Sequence, residues 1–87
     1  MMQTDIKIAI SDDFLKAFAG IPRDRQQAVI HFLSKFRHNP TSAGINYEKI
    51  RDAADDGMRS VRIDQNYRGI VLKPAQGNVY CLLWIDK

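Results

Sequence analysis

The chain has 87 residues, 45% of them hydrophobic and 26% charged, which suits one small globular core and excludes disorder over most of its length. Thirteen Lys and Arg against ten Asp and Glu leave a net charge of +3, too small an excess to demonstrate nucleic-acid binding by itself. The longest unbroken apolar run, Val79 to Ile85, falls far short of the roughly 20 residues that cross a bilayer, so no membrane association is expected.

In chain order, residues 1–5 lack the basic stretch and apolar segment of a signal peptide, which predicts a cytoplasmic protein. Residues 5–10 alternate and put Ile6, Ile8 and Ile10 on one face of a short strand. Ser11, followed by Asp12 and Asp13, supplies a capping hydroxyl and then acids at the positive end of a helix dipole. That helix should run to about Ala19 and stop at Gly20. Pro22 sits where a second helix begins, because a first-turn proline wastes no hydrogen bond. In it Val29, Phe32, Leu33 and Phe36 recur at helical spacing, and His38-Asn39-Pro40 ends it. So short a connection makes the two helices neighbours, with Phe14, Phe18, Phe32 and Phe36 in the core.

Beyond Pro40 the pattern changes to strands and turns. Residues 45–50 read as a ragged strand and residues 52–57 as a turn-rich stretch. Residues 58–64, 67–73 and 79–85 read as three strands, the last two joined by a hairpin loop at 74–78. This order predicts one α+β domain over 1–87, with two antiparallel helices packed on a twisted antiparallel sheet of about four strands. Cys81 lies in the most apolar strand and reads as a small buried hydrophobe. As the sole cysteine it cannot form an internal disulfide, and no Cys/His cluster offers a metal site, so neither metal nor cofactor is expected. His31 reads as a surface or boundary residue and His38 as a charge complementing the helix dipole. Alternation puts Tyr80 and Trp84 on one face with Leu82, which favours packing on the helices over stacking of bases on an open face.

Arginine gives the strand region its chemical character. Of the basic residues between position 41 and Gly69, four are arginines, Arg51, Arg59, Arg62 and Arg68, and a guanidinium fork matches phosphate better than an ammonium does. Two orientations fit the alternation. Either Ile70 and Leu72 face the helices and Arg68 emerges at the sheet's end, or Val71 marks the core face and Arg68 shares the open face with Arg62. In the plainer reading these arginines are strand-edge charges paired with Asp64 or Asp52.

The run Met58-Arg-Ser-Val-Arg-Ile-Asp-Gln-Asn-Tyr-Arg-Gly-Ile-Val-Leu72, after a helical hairpin and before a final hairpin, resembles the RelE/ParE superfamily of small bacterial toxins, most closely its YoeB-like branch. Residues 47–53 and 82–86 also look like a RelE-like segment attached to some UvrD/Rep-type DNA helicases. For nuclease members the resemblance implies cleavage of mRNA on the translating ribosome and neutralisation by a cognate antitoxin. A base takes the proton of a 2′-hydroxyl, the oxygen attacks the adjacent phosphate, and an acid protonates the leaving 5′-oxygen. Residue by residue, Arg68 falls on the phosphate-binding arginine and Glu48 on the base. Arg51 falls on the basic residue beyond it, and placing both Glu48 and Arg51 takes a one-residue gap in the turn at 52–57. Arg62, Tyr67 and Lys87 complete the implied RNA-binding set. Asp86 falls where the family's acid is a histidine, and Lys87 where a tyrosine ends the chain. An aspartate titrates ordinarily near 3.9 and is ionised at neutral pH, so the implied catalytic set departs from the pattern there. The alternative implied by the same resemblance is a non-catalytic binding module, either a ParE-like inhibitor or a helicase accessory domain that meets DNA or the helicase.

Overall fold

In the computed structural model, which describes residues 6–87, the helical hairpin forms as its caps dictate. The reading of residues 1–5 and the start of the first strand at Asp5 lie outside the described residues. Strand β1 (Lys7–Ile10) leads into α1 (Asp12–Ala19), where Ser11 Oγ accepts the Phe14 N–H at 3.1 Å. Gly20 closes α1 by donating to Ala17 O at 3.1 Å. Pro22 caps α2 (Arg23–His38), its carbonyl accepting from Arg25 and Gln26 N–H at 2.9 Å each. Four strands follow: β2 (Glu48–Lys49), β3 (Met58–Arg62), β4 (Arg68–Leu72) and β5 (Val79–Asp86).

The sheet has five strands in the order β1-β5-β4-β3-β2. The α+β architecture is the expected one, but the sheet is mixed, because β1 runs parallel to β5, with Lys7 opposite Val79 and Ile10 opposite Leu82. A parallel neighbour needs a long crossover, and everything from α1 to β4 supplies it. The ragged strand predicted at 45–50 shrinks to β2. Asn46 and Asp52 bracket β2 in the left-handed region, with φ of 52° and 60°, a conformation that Asn and Asp tolerate better than most residues. The first of these bends turns Ile45 into the core, where Arg62 N–H donates to its carbonyl.

The core lies between the helices and one face of the sheet. Phe14, Val29, Phe32 and Phe36 come from the helices; Val61, Tyr67, Val71, Leu82 and Ile85 meet them from the sheet side. Phe36 is the hub, stacked on Phe32 at 5.4 Å between centroids and edge-on to Tyr80 at 5.6 Å. Burying each such ring contributes about 1.5–3 kcal/mol. Phe18 packs on this core only partly buried, as do Ile6 and Ile8, whereas Ile10 is exposed. Cys81 is half-buried and not a core residue; its register partners are Ala9 and Leu72. Among the described residues no helix is long and apolar enough to cross a membrane.

Candidate active site

Register decides which orientation of the arginines is real. Val61 and Val71 are buried, as is Gly69, whose Cβ direction points at the Val61 side chain. Their strand neighbours Arg62 and Arg68 therefore share the open face, away from the helices. The two are direct partners across β3 and β4. Ile63 N–H donates to Tyr67 O, so the bonded pairs fall on either side and Arg62 and Arg68 form a non-bonded pair, the kind with the closest side chains. Like charges so placed are destabilising. Among the described residues, neither guanidinium makes an ion pair or a hydrogen bond.

Nearby carboxylates have other work. Asp64 Oδ2 accepts from Arg25 Nη1 at 3.3 Å, and its Oδ1 accepts from the N–H groups of Asn66 and Tyr67 at 2.7 and 2.9 Å. Asp64 thus builds the β3–β4 turn and ties it to α2 instead of neutralising the arginines. Asp52 forms no ion pair among the described residues. Asp56 pairs with Lys49 at 2.8 Å, and the ammonium holds its carboxyl below the usual range. This exposed pair fastens β2, and with it Glu48, to the following turn.

Two cross-strand rows assemble the site. Asp86 faces Arg68, which faces Arg62. In the next row Glu48 faces Ser60, Ser60 faces Ile70, and Ile70 faces Trp84. The strand order thus places the arginine pair between two exposed carboxylates, Glu48 on one side and Asp86 on the other. With strands roughly 4.8 Å apart, β2 and β5 are about 14 Å apart, with the arginine pair on the two strands between them. Asp86 Oδ1 accepts the Lys87 N–H at 2.8 Å.

The remaining predicted site residues go elsewhere. Tyr67 is 5% exposed and packs in the core on the opposite face. Lys87 borders a groove on that side with Pro22, Arg25 and Tyr67. Arg51 lies past Ile50, whose N–H donates to Met58 O, so it sits at the end of β3 remote from Arg62. Trp84 corrects the alternation. A bulge between the pairs Ile70–Trp84 and Val71–Leu82 inserts one residue into β5 and turns Trp84 away from Leu82's face, leaving it 43% exposed. Tyr80 does pack on the helices, as predicted. Nothing in the sequence marks that bulge.

By sequence, no protein-family model and no curated protein matches the chain. Solved structures match it by shape. A chain of the RelBE2 toxin–antitoxin complex from Mycobacterium tuberculosis superposes with a TM-score of 0.80 at 15% identity, covering 98% of this chain and 93% of that one. A chain of the archaeal RelE–RelB complex from Pyrococcus horikoshii gives 0.76 at 18%, with 95% and 94% covered. The YoeB dimer from Staphylococcus aureus gives 0.70 at 16%, with 97% and 98% covered. The fold is that of the RelE-type toxins. At such identities the RelE-type fold carries over and the site does not, so the open face has to be judged on its own chemistry.

Proposed function

We propose that the protein is the toxin of a type II toxin–antitoxin pair and acts as an endoribonuclease on mRNA at the translating ribosome. The RelE-type fold supports the toxin reading, and one observation carries the activity: a pair of guanidinium groups without counter-ions among the described residues, flanked by two carboxylates. Uncompensated arginines held side by side on an exposed face are costly in the free protein and become favourable once a phosphate sits between them. In the proposed reaction Glu48 takes the 2′-hydroxyl proton and the 2′-oxygen attacks the neighbouring phosphorus. Arg62 and Arg68 stabilise the added charge on the phosphorane, the role a donor plays in an oxyanion hole. The P–O5′ bond then breaks, leaving a 2′,3′-cyclic phosphate and a 5′-hydroxyl. The leaving 5′-oxygen is protonated by solvent water on the Asp86 side. Charge stabilisation comes from the guanidinium groups, and this scheme calls on no metal. The partner that silences the protein is an antitoxin whose acidic groups compete for the same arginines.

Induction in cells and cleavage in a translating extract test the reading. Arg68→Ala is expected to lower cleavage on the order of 100- to 1,000-fold with the fold intact. Arg68→Lys should recover little of it, because an ammonium lacks the two-pronged contact. Glu48→Gln should slow cleavage by about 100-fold or more, as for loss of a general base. Asp86→His is expected to raise activity by supplying an acid. An unaltered protein that neither arrests growth nor cuts message, with Asp86→His equally inert, would overturn the nuclease reading. The departure at Asp86 favours one second reading, a binding module that grips phosphate without cutting, as a ParE-like inhibitor or helicase accessory domain would.

A further inference from the structure

The two edges of the sheet are finished differently. At one edge β2 is only two residues long, and left-handed bends at Asn46 and Asp52 bracket it. So short and bent an edge gives an incoming strand little to pair with. At the other edge β1 runs Lys-Ile-Ala-Ile, with no proline, bulge or left-handed residue to blunt it. Lys7 N–H donates to Asn78 O at 2.9 Å and Ser11 N–H to Leu82 O at 3.0 Å, so the odd-numbered residues of β1 bond to β5. The residues between them, Ile8 and Ile10, therefore point their N–H and C=O groups outward. Among the described residues nothing bonds to those groups. Arg37 O already takes the Ile6 N–H at one end of the edge, and the chain turns into α1 at the other.

The partner that fits this edge is the edge itself. Antiparallel pairing about a two-fold axis at Ala9 sets Ile8 opposite Ile10 of a second copy, and Ile10 opposite its Ile8. Every outward group of both residues is then satisfied. Centring the axis on Ile8 would call on the Ile6 N–H, already used, and centring it on Ile10 would call on helical Asp12. The side chains agree with the Ala9 axis. At a non-bonded position strands approach most closely, with Cα atoms about 4.5 Å apart, and only a methyl group has to fit there. Ile10 lies on the helix side in register with buried Leu82, yet is 42% exposed; Ile8 of the second copy would cover it. Lys7 comes opposite Ser11 of the second copy, beside Asp12 and Asp13 at the start of its α1. None of these three charges forms an ion pair among the described residues. A parallel copy would set Lys7 against Lys7, so charge also selects the antiparallel arrangement.

We propose that β1 is a self-association edge, through which two copies of the chain pair and join their sheets into one. The axis stands perpendicular to the sheet, so both open faces, each with its Arg62–Arg68 pair, lie on the same side. With strands about 4.8 Å apart, β4 and its copy are about 24 Å apart. Neither the pairing nor its test depends on what the arginines bind. A four-residue edge is small against the roughly 800 Å² per partner of a standard interface, so the pair should form reversibly.

Sedimentation equilibrium of the full chain from about 1 μM to about 1 mM should show a monomer–dimer equilibrium. Ile10→Pro removes an outward N–H and no bond to β5, a position where an edge strand accepts proline. It should weaken association roughly 5- to 150-fold while the monomer's melting curve stays in place. Lys7→Glu, which opposes like charges, should weaken it about 2- to 30-fold. Cross-linking reads the register, in a Cys81→Ala background because Cys81 lies opposite Ala9 within one sheet. Ala9→Cys should form an interchain disulfide on mild oxidation, since Cα atoms about 4.5 Å apart suit one. Lys7→Cys should not, because the two copies of that position lie about 13 Å apart along the strands. Should Ile10→Pro fail to fold, the cysteine pair still decides. A chain that is monomeric throughout overturns the proposal and leaves the edge to a different protein. Ala9→Cys that cross-links no faster than Lys7→Cys overturns it as well. So does a dimer that Ile10→Pro and Lys7→Glu leave unchanged, which would put the contact on another surface.

Discussion

The two faces of the sheet follow opposite rules. On the helix side Val61, Val71, Leu82 and Ile85 are at most 2% exposed, and the titratable side chains that join them there from the sheet side, among the described residues, are the phenols of Tyr47, Tyr67 and Tyr80. On the open side, one residue along each strand, two arginines face each other with no counter-ion among the described residues. The contrast teaches where stability and function are separately located, although both are written on the same strands.

Substitutions can break that comparison, beginning with the largest expected effect. Phe32→Ala removes a ring that is 3% exposed and stacked on Phe36. It should cost about 3–5 kcal/mol, a large share of what a domain this size has, and thermal unfolding should lose its cooperativity. An unchanged melting curve would show that the helical side does not carry the fold. Asp64→Ala strips the turn of two backbone acceptor contacts and of Arg25; a loss of about 1.5–3 kcal/mol in denaturant unfolding is expected. Arg62→Thr does the reverse of a usual mutation. Relieving the like-charge pair should leave stability unchanged or raise it by up to about 1 kcal/mol, while weakening RNA binding and flattening its salt dependence. A clear loss of stability there would mean that the open face is structural after all.

The smallest effect sharpens the boundary between the faces. Tyr47 carries a hydroxyl that is buried without a hydrogen-bond partner among the described residues, and the Arg59 guanidinium lies 5.9 Å from its ring centre. Burial first, and the neighbouring Tyr80 second, push its phenol above the ordinary value of 10.0. A raised folded value means that the neutral phenol's contribution to stability is intact below pH 10 and is lost as the pH climbs through the folded value. Melting temperature should therefore fall on alkaline titration above pH 10. Tyr47→Phe should remove that limb and, by deleting the unpartnered hydroxyl, leave stability at neutral pH unchanged or about 1 kcal/mol higher.

How much of this was legible in the residues depends on how local the cause is. Ser11, Gly20, Pro22 and Asn39 act within a turn of their own positions, so the helical hairpin could be read with its ends. The strands β3 and β4 could be read from alternation, and β5 from its unbroken apolar run. The partner of β1 could not, because periodicity says that a segment is a strand and nothing about its neighbour. The brevity of β2 depends on left-handed backbone at Asn46 and Asp52, residues that accept that conformation without requiring it. At the site, Arg62, Arg68, Glu48 and Asp86 come together on one face, whereas Tyr67 and Arg51 do not. Tyr67 alternates with Arg68 and so had to face the core once Val71 did. Arg51 was carried to the wrong end of the sheet by the reversal of chain direction between β2 and β3. Trp84 was misplaced by a single inserted residue.

The parallel pairing of β1 with β5 bears on how the molecule is made. Ser11, at the end of β1, donates its hydroxyl to Leu83 across a separation of 72 residues, and such distant closure slows folding relative to local contacts. During synthesis β1 and both helices leave the ribosome before β5, the strand that β1 pairs with, exists. The sheet can be completed only after β5 has emerged, and β5 also delivers Leu82 and Ile85 to the core and Asp86 to the face beside Arg68. An interrupted translation product therefore has neither a closed core nor an assembled site. The topology thus couples assembly of both faces of the sheet to completion of β5.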